Sequence, residues 1–172
     1  MKILAEIYRC DEINPQGKTI YRNAVRGVIL RGQDLLMIHS AKVGDYKFPG
    51  GGVQEGESHE RALMREIEEE SGAHLISLDE CIGAVIEYDI PAEIEYNVFK
   101  MTSHYYLCQV RTGFGEQKLD EYEKDLGFTP AWIRIDTALF TNRSLLGFDV
   151  SPGWLKREIF VLEYIKNNLF GL

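Results

Sequence analysis

Glu66, Glu69 and Glu70 stand at i, i+3 and i+4 in a stretch without proline or glycine. On a helix, that spacing brings side chains together on one face. Three like charges so placed repel one another, and helix stability does not ask for them. Clustered carboxylate oxygens are what Mg²⁺ or Mn²⁺ takes as ligands. Arg65 lies four residues before Glu69 and is spaced to hold that carboxylate in orientation. Taken alone, the glutamate-rich stretch reads more simply as a solvated helix face, since charge runs usually mean solvent. The preceding loop changes the weighing. Lys47-Phe48-Pro49-Gly50-Gly51-Gly52 sets three glycines shortly before the acidic residues, where backbone must approach something closely or adopt positive φ. Loop and helix together favour a divalent-cation site.

The elements that must position these groups follow from local signals. Ser58 to Ser71 is rich in Glu, Arg, Ala, Leu and Met, all good helix formers. Ser58 suits the N-cap, and Glu60 in the first turn suits the helix dipole. Arg61 stands where a capping box would have glutamate, so the box is incomplete. Gly72 fits the C-terminal stop. Ala62, Leu63 and Ile67 recur at helical spacing and are expected in the core. Strand patterns run over Ile3 to Cys10, Tyr21 to Leu30, Leu35 to His39, Cys81 to Ile90, Tyr96 to Val110 and Ala131 to Ile135. Turns are expected at Asn14 to Gly17 and Arg31 to Asp34, and a stop at Pro91. Asp136 to Leu139 predicts a short helix, and the segment from about 152 to 170 an amphipathic one. Strands, a central helix, more strands and a last helix predict an α+β fold with a mixed sheet between helices.

With 172 residues and 45% hydrophobic content, the chain can bury a proper core, and a single domain over residues 1–172 is expected. The net charge of −8 argues against binding a nucleic-acid polymer, which needs a basic surface. A small nucleotide substrate remains compatible, provided a divalent cation bridges carboxylate and phosphate. Cys10, Cys81 and Cys108 are odd in number, scattered and without metal-ligand spacing, and each has apolar residues close by. They read as buried thiols in a reducing compartment. Lys2 and Glu6 interrupt any signal-peptide core, and no apolar run reaches membrane-spanning length. These features predict a cytoplasmic protein with no membrane partner. The strand Met1 to Cys10 has no evident local partner, which leaves room for a homodimer.

Residues Gly51 to Ala73 read GGVQEGESHERALMREIEEESGA. This resembles the signature of the Nudix hydrolases, G-x5-E-x7-R-E-U-x-E-E-x-G-U with U apolar, at every fixed position. In outline the resemblance extends over Tyr21 to Leu139. It implies an α/β/α sandwich, to which residues 1–20 and a C-terminal helix are additions. It also implies divalent-metal-dependent hydrolysis of the diphosphate linkage in a nucleoside diphosphate joined to another group. Carried over by motif position, Glu66, Glu69 and Glu70 are the metal ligands, the Gly50 carbonyl completes the site, and Glu57 stands close by as an ancillary carboxylate. Arg65 orients the glutamates. Family members differ in the general base, some using a box glutamate and others an acid in a later loop. Within Asp120-Glu121-Tyr122-Glu123-Lys124-Asp125, Glu123 is favoured because it lies nearer the next strand than Asp120 or Glu121, against the plainer reading of an exposed charged loop.

Substrate choice lies outside the box. Tyr88 sits near where a tyrosine recurs in Nudix enzymes acting on dinucleoside polyphosphates, but a tyrosine on an apolar strand is more simply packing. Arg22, Arg26, Lys42 and Lys47 flank the site in sequence and are placed to meet phosphates, although each singly reads as a surface charge. His39, His59 and His104 lack a partnered nucleophile. Tyr46, Phe48 and Phe148 are core aromatics by default. Two other readings keep the fold: an isoprenoid diphosphate isomerase-like enzyme, and a noncatalytic nucleotide-sensing Nudix domain. The first needs a cysteine and acid site, and the cysteines here stand in apolar surroundings. The second goes with an eroded box, and this box is intact.

Overall fold

The computed structural model describes residues 1–148 and 151–169. Its strands are β1 (Ile3–Tyr8), β2 (Thr19–Arg31), β3 (Asp34–Ser40), β4 (Tyr46–Lys47), β5 (Leu75–Asp89), β6 (Val98–Val110) and β7 (Phe128–Arg134). Its helices are α1 (His59–Ser71), α2 (Glu121–Leu126), α3 (Ile135–Ser144) and α4 (Leu155–Asn168). The strand order is β1-β5-β6-β2-β3-β4, with β7 on the other edge of β3. β1 runs parallel to β5 and β2 parallel to β6, whereas the remaining pairs are antiparallel. The sheet is therefore mixed, as the pattern of elements predicts. β1 finds its partner within its own chain.

Alternation along β2 serves both faces. Val25 and Ile29 pack with Leu36, Ala62, Leu63, Ile67 and Cys108 under α1. Val28 faces the opposite layer, where Phe48, Tyr105, Ala138, Leu139, Leu155, Leu162 and Ile165 meet beneath α3 and α4. The result is an α/β/α sandwich. α1 begins and ends as its sequence dictates: the Ser58 side chain accepts from the Arg61 amide, and Gly72 closes the helix at φ 69°.

Two segments depart from expectation. Asp120 to Asp125 is no loop: Asp120 caps α2, its carboxylate accepts from the Glu123 amide, Glu123 accepts back from the Asp120 amide, and Gly127 ends the turn at φ 66°. The D-x-x-E spacing of a capping box is the missed signal. The cysteines also divide: Cys108 is buried and its thiol pushed up to about 12 by burial, Cys10 is half-buried, and Cys81 is exposed. β5 carries Cys81 in its irregular, outward half, where the register with β6 shifts around it.

The feature that prepares the site is a split. β2 and β3 pair at Leu30–Leu35 and Arg31–Asp34 and then diverge. The glycine loop fills the gap and completes the edge of β2. Val25 N donates to Gly51 O at 2.9 Å, Gly27 N to Pro49 O at 2.8 Å, and Val53 N to Asn23 O at 2.9 Å. A Cβ on Gly50 would collide with Val25 O, and its φ of +133° is one that side chains rarely adopt. Gly50→Ala is therefore expected to cost about 2 kcal/mol or more, read as a lowered midpoint of unfolding, while Gly56→Ala in the open turn costs less.

Candidate active site

One cavity of about 470 Å³ lies where loop, helix and sheet meet, and Gly50, Gly51, Gly52, Glu66, Glu70 and Glu123 line it. α1 delivers the two box glutamates and α2 delivers Glu123. Glu70 is buried, with its carboxylate held by Lys47 Nζ and by Gly50 N at 2.8 Å. Glu66 lies so close against Gly51 that an added Cβ there would run into its carboxylate. Burial pushes the Glu66 carboxyl above its usual range, against the pull of Arg65. Burial, then the nearby Glu70 and Asp120 carboxylates, raise Glu123 to about 7, despite the Asp120 amide it accepts from.

Arg65 stands at the hub of the other carboxylates. Its Nε and Nη2 meet Glu57 at 3.0 and 2.9 Å, and Nη1 meets Glu66 at 2.7 Å and Glu69 at 3.2 Å. Nη2 also donates to the Gly52 carbonyl at 3.1 Å. Hydrogen bonding to Arg65 holds Glu57 below the usual carboxylate range. Glu69 and Arg65 line a shallower groove on the outer side of α1, apart from the main cavity. Among the described residues, no three acidic, histidine or cysteine side chains converge as a cation's ligand shell. The box carboxylates each rest on a protein cation instead.

Two residues read from sequence as surface charges are buried here. Lys47 is the Glu70 partner, and Arg26 donates to the Gly50 carbonyl, the same oxygen the resemblance assigns to the metal. Burial, then Arg157, lower the Arg26 pKa, and its Nε is without a partner among the described residues. Arg22 lines the cavity against Gly52, whereas Lys42 is exposed and does not. Phe48 is core, and Tyr88 stacks on Tyr8 with ring centroids 4.7 Å apart. His59 and His104 pack on each other outside the cavity, where burial depresses His104 to about 4.

Sequence reasoning missed a buried ionic network that reaches the site from both ends of the chain. Arg157 of α4 lies between Glu87 of β5, at 2.5 Å, and Glu158, at 2.7 Å. Glu158 also accepts from the Phe48 amide at 2.8 Å, two residues before Gly50. Arg9, just past β1, holds Glu87 at 3.0 Å and Asp89 at 3.1 Å. Arg9 and Arg157 line the same cavity. An amphipathic pattern alone gives no hint that Arg157 and Glu158 are 1% and 0% exposed.

The NUDIX domain profile matches residues 20–146. An RNA pyrophosphohydrolase of a Nitratiruptor species is 31% identical over 126 residues, which cover 70% of this chain and 74% of that protein. Another RNA pyrophosphohydrolase, of a Sulfurovum species, is 30% identical over 105 residues, 56% of this chain and 67% of that protein. Among solved structures, a NUDIX hydrolase from Nitrosomonas europaea shares the fold with a TM-score of 0.59 at 19% identity, covering 86% of this chain and 90% of that one. The MutT NUDIX hydrolase from Burkholderia pseudomallei gives 0.50 at 25% identity, over 68% and 85%. This chain belongs to the Nudix family and is a Nudix-type hydrolase. No helix among its described residues is long and apolar enough to cross a membrane.

Removing one partner from a buried ion pair typically costs about 3–5 kcal/mol. Glu158→Ala removes one of the two carboxylates that hold Arg157, leaving Glu87, and takes the acceptor of the Phe48 amide, so a loss toward the lower end of that range is expected in chemical denaturation. Glu158→Gln keeps an acceptor for Phe48 and is expected to lose less.

Proposed function

We propose that this protein hydrolyses the diphosphate linkage of a nucleoside diphosphate derivative with the help of Mg²⁺ or Mn²⁺. The observation that carries the reading is the cavity in which Glu66, Glu70 and Glu123 face Gly50 and four arginines. A set of carboxylate and carbonyl oxygens suits a hard divalent cation, and the raised Glu66 carboxyl is a group that a cation would relieve. Glu66, Glu70 and the Gly50 carbonyl, which line the cavity, would hold the ion; Glu69, assigned as a third ligand by motif position, instead lies on the outer side of α1 against Arg65 and, like Glu57, would act through it. Bound there, it would polarise phosphoryl oxygens and acidify water.

The residues of the chain divide the remaining work. Arg65 keeps Glu66 and Glu69 oriented. Arg22, exposed at the mouth and without a carboxylate partner among the described residues, is free to meet a phosphate. Glu123 is the general base: a carboxyl raised to about 7 combines basicity with a usable ionised fraction near neutrality. A second reading, removal of pyrophosphate from an RNA 5′ end, is favoured by the names of the curated relatives. The net charge of −8 weighs toward small nucleotides, since an acidic surface repels a polymer's phosphates.

A panel of ADP-ribose, nucleoside triphosphates, dinucleoside polyphosphates, CoA and a 5′-triphosphorylated oligoribonucleotide tests both readings with Mg²⁺ and Mn²⁺. Turnover of a small nucleotide class that disappears in Glu70→Gln is expected. Turnover confined to the oligoribonucleotide would transfer belief to the second reading. Because Glu123 acts as the carboxylate, kcat is expected to rise as pH rises through about 7. In Glu123→Gln that rise should vanish and kcat fall by about 100-fold or more; an unchanged profile would remove Glu123 from the role.

A further inference from the structure

One part of the cavity wall has a different chemistry from the carboxylate end. Phe99, Met101, Tyr122, Phe128 and Trp154 line it. Met101 and Phe128 are 6% and 3% exposed and serve as backing. Tyr122 is 56% exposed, and Phe99 and Trp154 are half-buried, so their rings retain open surface. Trp154 is fixed in place. Its Nε1 donates to Asp45 Oδ2 at 2.8 Å, Asp45 is 1% exposed, and the indole packs against the cluster of Ile38, Leu126 and Phe128. An indole whose N–H is satisfied and whose edge is pinned offers a flat apolar surface that loses little freedom on binding. Tyr122 neighbours Glu123 on α2, which ties the aromatic wall to the acidic end of the cavity.

We propose that Trp154, together with Tyr122, is the stacking platform for the substrate's nucleobase, and that it sets the preference for nucleoside over base-free polyphosphates. Trp154 caps α4 and lies beyond the NUDIX-matched residues 20–146. The platform then joins one ring from within the family-matched segment, Tyr122, to one from beyond it, Trp154. The α4 network that locks Glu158 to Phe48 also fixes where Trp154 stands, since Trp154 and Glu158 are joined by the first turn of the helix. Any flat heteroaromatic base meets such a platform, so the wall favours nucleosides as a class and does not name one base.

The inference rests on the hydrolase reading for its phosphate end, but base binding can be read without turnover. Trp132 and Trp154 are the two tryptophans of the chain, so Trp132→Phe leaves Trp154 as the sole indole emitter. Titration with ADP and Mg²⁺ is expected to quench its fluorescence, and inorganic pyrophosphate with Mg²⁺ to leave it nearly unchanged. Equal quenching by both, or by neither, would overturn the proposal. In the otherwise native chain, Trp154→Leu is expected to lower the ratio of kcat/KM for ATP to that for inorganic tripolyphosphate by about tenfold. The loss should lie mainly in KM for ATP, and Trp154→Phe, which keeps a ring, should recover most of it. A parallel fall for both substrates would mark Trp154 as a packing residue only and sink the idea. Should neither polyphosphate be turned over, the hydrolase reading is what fails for them, and the fluorescence arm decides base binding by itself.

Discussion

The structure turns on an unfinished strand edge. β2 leaves β3 after two paired positions, and the buried amides of Val25 and Gly27 need acceptors, because an unpaired buried backbone group is costly. Gly51 O and Pro49 O supply them. For the loop to lie so close, residue 50 can carry no Cβ, since Val25 O occupies that space. The same close approach points Gly50 N at Glu70 and its carbonyl at Arg26. A requirement of sheet architecture thus places backbone donors and acceptors beside the acidic helix, and the site's chemistry inherits a geometry that the fold had to adopt anyway.

Charge compensation is the second constraint. The cavity gathers Glu66, Glu70, Asp120 and Glu123 with Arg9, Arg22, Arg26, Lys47 and Arg157. Buried like charges on this scale are tolerated only when paired, and the pairs here are specific. Lys47 meets Glu70, and Arg157 meets Glu87 and Glu158. A buried pair contributes little net stability against a packed apolar alternative. What this network adds is registry, because Glu158 fixes the Phe48 amide while Glu87 ties in Arg9 from the other end of the chain. An acidic protein can in this way gather cations at one cavity without relying on its overall charge.

How much of this is legible in the sequence depends on the range of the interaction. α1 is fully readable, because its cap, stop and buried stripe at Ala62, Leu63 and Ile67 are local signals. β2 and β6 are readable from their apolar runs to within about two residues at each end. α2 escapes a reading for composition although its Asp120–Glu123 capping box is equally local; the charge run masks the spacing. Arg26 and Lys47 read as surface charges because their burial depends on Gly50 and Glu70, more than twenty residues away. Nothing in a single sequence reports such a partner. Arg157 and Glu158 are hidden for the same reason, inside a pattern whose apolar positions alone account for a helix.

That difference of range separates the box glutamates from the rest of the cavity. The box glutamates sit on consecutive turns of one helix, so a short motif captures them, and residues 20–146 suffice to place the chain in its family. The rest of the cavity is assembled from Arg9 past β1, Phe99 on β6, Tyr122 on α2 and Trp154 at the start of α4. No spacing rule links those positions, because they meet only after the sheet is built and the Arg157–Glu158 network has seated the last helix. Segments outside a short motif can therefore change the wall of the cavity without disturbing Gly50, Glu66 or Glu70. In this chain both appended ends reach the cavity through buried charge pairs, and the wall they build is as firmly positioned as the carboxylates it faces.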